Sequence, residues 1–212
     1  MHVLRTFAVA AALMPAFLTP ALAHEPDGAT FAAAFREACV PQRMSYEGIL
    51  GLAGSLGWKP VVPGSSQELS AIFGLADAAL AEEGDADWSF DRSAFDRIVA
   101  GKLHHLVVTR VQAPGVAPVV SCALYDLGAT GGIDPAPVAG LVGAPEERYF
   151  VNSGLHAHSW GETPALPGTF QTVLTFVAED SPHVEKTGFS GLVLKIDSTE
   201  PGADAAGTAA TD

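Results

Sequence analysis

Apolar residues recur at helical spacing early in the chain and at every second position further on, and this change of period predicts where helices give way to strands. Phe31, Ala34, Phe35 and Ala38 mark one face of a helix over 29–40, with Asp27 or Thr30 as its cap. Ile49, Leu52, Ala53 and Leu56 mark a second over 45–56 that Gly57 ends, with Trp58 packing where the chain turns. Leu69, Ile72, Phe73, Leu75, Ala76 and Leu80 predict a third, mostly buried helix over 69–81, weakened by Gly74. The segment 90–101 reads as a short helix or an extended lead-in.

From His104 the pattern is that of a hairpin. Leu106 and Val108 alternate with Val107, Thr109 and Val111; after Pro114-Gly115, which suits a type II turn, Val120, Cys122 and Leu124 alternate with Val119, Ser121, Ala123 and Tyr125. Both faces are apolar, which places this hairpin in the middle of a sheet. A short helix follows near 136–142, Tyr149 to Val151 begins a strand, and 152–169 reads as a long irregular loop, the kind of segment that carries function. Two further strands are expected over 170–178 and 190–196. The sum is an α+β domain: N-terminal helices, then β-β-α-β-β, forming an antiparallel sheet with helices on one face.

Arg5, the apolar run from Phe7 to Leu18 and the small residues Ala21 and Ala23 form the three parts of an export leader over 1–23. Its apolar part is short and carries Pro15 and Pro20, so no stable membrane insertion is expected after cleavage. Cleavage leaves 189 of the 212 residues: one domain over 24–196 and an acidic, Ala-rich disordered tail over 197–212. Without Arg5 the 11 basic residues become ten against 24 acidic, a formal net charge of −14, which argues against nucleic acid or an anionic lipid surface as partner. A periplasmic or secreted protein with two cysteines favours a Cys39–Cys122 disulfide. Two free buried thiols are the alternative, and the absence of C-x-x-C spacing argues against a reactive pair.

Phe35 and Cys39 with Gly57-Trp58, and Ser121-Cys122-Ala123-Leu124-Tyr125, resemble stretches of small exported proteins of Gram-negative bacteria that have no assigned function. The resemblance covers two short stretches of a structural kind. It supports export and the cysteine pairing and implies no activity.

Candidate chemistry is sparse. His156 and His158 lie two apart, so in extended chain both imidazoles point the same way, toward a transition metal. Two ligands leave such a site incomplete; His24, His183 or Glu162 are the candidates for a third. His24 is itself a candidate ligand, since cleavage would give it a free amine beside its imidazole. His104 and His105 are neighbours in a strand and face opposite sides. Ser55 in Ala53-Gly54-Ser55-Leu56-Gly57 approximates a nucleophile elbow but lies in a helix with no strand before it. Gly128 to Gly132 lacks the spacing and the Lys of a phosphate loop, and Glu82, Glu83, Asp85 and Asp87 lack the periodicity of a calcium loop. No catalytic set is complete and no cofactor is indicated, so the chain reads as a non-enzymatic binding or accessory domain for a protein, an envelope component or a small ligand. The alternative is a metal-binding protein or metalloenzyme built on His156 and His158.

Overall fold

Asp27 and Ser45 start the first two helices by accepting backbone N–H bonds, Asp27 from Ala29 and Thr30 and Ser45 from Gly48. The bonds from Thr30 hold the Asp27 carboxyl below its ordinary range. The computed structural model describes residues 23–62, 64–83 and 88–201. In chain order the elements are α1 (Gly28–Cys39), α2 (Tyr46–Ser55), β1 (Lys59–Pro60), α3 (Gln67–Glu83), β2 (Ser89–Val99), β3 (Lys102–Gln112), β4 (Val119–Asp126), α4 (Ala136–Val142), β5 (Arg148–Asn152), β6 (Leu155–Trp160), β7 (Thr169–Val177), α5 (Val184–Thr187) and β8 (Gly191–Thr199). The leader up to residue 22, the acidic residues 84–87 and the tail from 202 lie outside the described residues. Among the described residues no helix is long and apolar enough to cross a membrane.

The α+β class holds, but the strand and helix order differs from the expected one. Among the described residues, eight strands form one antiparallel sheet in the order β1-β2-β3-β4-β8-β7-β6-β5. Segment 90–101 is strand, paired with β3 from Ser89↔Gln112 to Val99↔Lys102. Its charges sit on both faces and are matched locally, Asp91 to Arg110, Asp96 to His105 and Arg97 to Glu37. The expected irregular loop over 152–169 contains β6, joined to β5 by Ser153 and Gly154 at φ 44° and 80°. Two successive positive φ angles make the tight turn whose twist suits a two-residue hairpin. The last strand continues to Thr199, beyond the expected boundary at Ile196. Asp197 and Ser198 are buried there because neighbouring hydroxyls satisfy them: Ser121 donates to Asp197, and Thr169 and Ser198 share a bond of 2.9 Å.

Helices cover both faces, not one. On the front, α1, α2 and α4 bury Phe31, Phe35, Ile49 and Val138 against Leu106, Val108, Leu124, Leu194 and Ile196. On the back, Ile72 of α3 and Val184 of α5 pack on Ala123, Val177, Phe189 and Val193. The two-sided apolar hairpin already required this, since each apolar face of a sheet must be covered. Cys39 and Cys122 form a disulfide that ties α1 to β4 in the front layer, with Cα atoms 5.6 Å apart.

Candidate functional site

The pleat decides which side chains share the front face, and two cross-strand rows matter. One runs Phe95, Leu106, Leu124, Leu194, Leu174, His158, Tyr149. The next runs Asp126, Leu192, Phe176, His156, Val151. Their centres are covered by α1, α2 and α4; toward β5 the cover ends, and the rows finish in an open cleft of about 300 Å³.

His156 and His158 line this cleft from the same face of β6, as their spacing predicts. Leu174, Phe176 and Leu192 give it an apolar floor, and Ile133, from the connection between β4 and α4, closes one side. Tyr149 of edge strand β5 forms the opposite wall and is 50% exposed. Its ring stacks on His158 at 4.5 Å, and its hydroxyl shares a 2.9 Å hydrogen bond with His156 Nδ1. His158 Nδ1 bonds the Glu146 carboxylate. An ionised carboxylate only accepts, so Nδ1 of a neutral His158 carries the proton and its Nε2 a lone pair. Trp160 continues the stack behind His158 at 6.4 Å and is itself 1% exposed.

Among the described residues that line the cleft, no third histidine or carboxylate joins His156 and His158. His24, His183 and Glu162, the expected candidates, do not line it. Among the described residues, no group of three or more His, Cys, Asp or Glu is placed to hold a metal ion. The sequence gives neither Glu146 nor Tyr149 a place in the site, because their role depends on β5 pairing with β6. Ser55 ends α2 and donates to Leu52 O at 2.7 Å, as a helical serine does. Gly132, in the glycine-rich connection, lies against Phe176 in the cleft.

Two further histidines, His24 and His104, meet at the other end of the second row, on Asp126. His24 forms an isolated parallel bridge with Ala129, donating its N–H to Gly128 O at 2.9 Å and accepting from Thr130 N at 2.9 Å. Its Nε2 lies 2.8 Å from Asp126 Oδ2. His104 Nδ1 donates to Lys102 O at 3.1 Å, and its Nε2 lies 3.7 Å from the same Asp126 oxygen. His105 points to the back face, to Asp96, so the strand separates the two neighbours as expected. On that face burial pushes the Tyr125 hydroxyl up to about 12.

Burial is the largest influence on His104 and lowers its pKa, although the Lys102 carbonyl and Asp126 oppose the shift. The unfolded chain therefore takes up a proton near the ordinary value of about 6.5 that the folded protein resists. Folded stability is retained above that pH and falls as pH drops through it toward the lowered folded value. His104→Gln removes this contribution, so its urea midpoint should fall less than that of the wild type between pH 7 and pH 5. Parallel pH profiles for the two proteins would show that His104 does not carry the acid sensitivity.

Comparison with protein-family models, curated proteins and solved structures returns no match to this chain.

Proposed function

We propose that the chain is an exported binding domain, working in the periplasm or outside the cell, whose recognition site is the open cleft between β5, β6 and Ile133. The leader pattern and the disulfide support the compartment, since such bonds persist where the environment is oxidising. One observation carries the site: the imidazoles of His156 and His158, on one face of β6, have their Nδ1 atoms engaged by Tyr149 and Glu146, which leaves the Nε2 edges for a ligand above an apolar floor. His158 offers an acceptor there, and the aromatic wall of Tyr149 offers a flat face. A small planar molecule with a ring N–H beside a carbonyl, such as a cyclic amide, fits both.

The second reading is a transition-metal site on the same two rings. The Glu146–His158 pair favours it, because a carboxylate behind a histidine is the usual outer partner of a metal ligand. Both readings are tested by one thermal-shift screen, run with small heterocyclic amides and with zinc, nickel and copper ions, with and without chelator. The binding reading expects stabilisation by a heterocycle that chelator leaves intact and that Tyr149→Ala and His156→Ala/His158→Ala both abolish. Stabilisation by a metal alone, lost with chelator and in the double variant, would replace it with the metal reading. Ligand shifts that survive the double variant would place recognition elsewhere.

A further inference from the structure

A larger cavity, of about 690 Å³, lies away from the cleft, between α3 and the β1–β2 edge of the sheet. Its size falls within the range of small-molecule sites. Leu69 and Phe73 of α3, Val61, and Ala94 of β2 give it apolar walls. Gly74 is open to it: a Cβ added there would meet no atom within 4 Å. A glycine in a helix interior costs stability relative to most other residues, and at this position it preserves the space.

One cation is turned into these walls. The Arg92 guanidinium lies 4.3 Å over the Phe73 ring and 4.9 Å over the Phe90 ring, and its side chain is 15% exposed. Among the described residues its hydrogen bond goes to Asp77, whose side chain is 61% exposed. A guanidinium has five N–H donors, so most remain available. An ion pair with so exposed a carboxylate is weakened by solvent, and Asp77 can be displaced into water.

We propose that this cavity binds a medium-chain amphiphile, its alkyl tail along Leu69, Phe73 and Ala94 and its carboxylate on Arg92. The apolar walls set the tail, and the planar donor fork of arginine selects a carboxylate. Asp77 then acts as a competitor for Arg92, not as part of the recognition. The inference is independent of the histidine cleft.

The test is calorimetric titration of the full chain with decanoate, and in parallel with decanol, below micelle-forming concentration. Saturable decanoate binding is expected, at least tenfold tighter than decanol. Gly74→Leu, which fills the space with a better helix former, should weaken decanoate at least tenfold; far-UV circular dichroism confirms the helix, and Gly74→Ala should shift affinity in the same direction by less. Arg92→Met should abolish the preference for decanoate over decanol, and Asp77→Asn should tighten decanoate by removing the competing carboxylate. His156→Ala/His158→Ala should leave decanoate binding unchanged, which separates this site from the cleft. No saturable binding, equal affinity for decanol in the wild type, or full affinity in a folded Gly74→Leu variant overturns the proposal.

Discussion

Replacing Cys39 and Cys122 together with alanine is expected to lower stability by about 4–5 kcal/mol, the value that chain entropy gives for closing a loop of this length. The bond spans 83 positions and joins the last residue of α1 to the middle of β4, both fully buried. For a domain of this size, that loss corresponds to a fall in Tm of about 8–20 °C. The effect reaches the proposed site through packing. Gly28, at the start of α1, lies against Ile133, and a Cβ there would sit 3.0 Å from the Ile133 side chain. Ile133 in turn closes the cleft. Urea denaturation without reductant should give a clearly lower midpoint for the double variant, and the wild type should move toward it once reduced. Coincident midpoints would show that the tie contributes little beyond the packing of α1.

The capped helices were legible because their signals are local. Asp27, Ser45 and the i, i+3, i+4 apolar spacing act within one or two turns, and α4 falls over the 136–142 segment expected to be helical. The shared direction of His156 and His158 was legible for the same reason, since alternation is a property of any extended chain. What was lost depended on partners distant in sequence. The run Leu155-His156-Ala157-His158-Ser159-Trp160 has none of the β-branched residues that mark a strand; it is extended because β5 and β7 pair on its two sides. Segment 90–101 hid its alternation behind charges whose partners, such as Glu37 and Arg110, come from other elements. The cover on the back face was implied by Ala123 and Tyr125 in the hairpin. The spread of apolar residues around α3 could not say which face it takes.

Gly191→Ala is expected to be the most damaging single methyl addition in the sheet, because it strikes the backbone that carries Asp126. Gly191 opens β8 at φ 106°, a region that L-residues rarely enter. A Cβ there would lie 2.5 Å from Asp126 O and 3.0 Å from Leu127 Cα. Both are main-chain atoms at the end of β4, so no side-chain rotation relieves the contact. The left-handed backbone costs about 1–2 kcal/mol, and overpacking a tight site typically adds about 1–3 kcal/mol. Together they predict a loss of about 2–5 kcal/mol in urea denaturation. The strain also has a direction. Moving the Asp126 backbone away from β8 shifts the carboxylate that His24 and His104 face, while β6 and the Tyr149–His158 stack lie beyond β7. In Gly191→Ala, histidine ring NMR signals should therefore move first for His24 and His104 and least for His158. Equal movement of all three would mean that the sheet responds as one rigid layer, and an unchanged midpoint would show that β4 and β8 part at this point without cost.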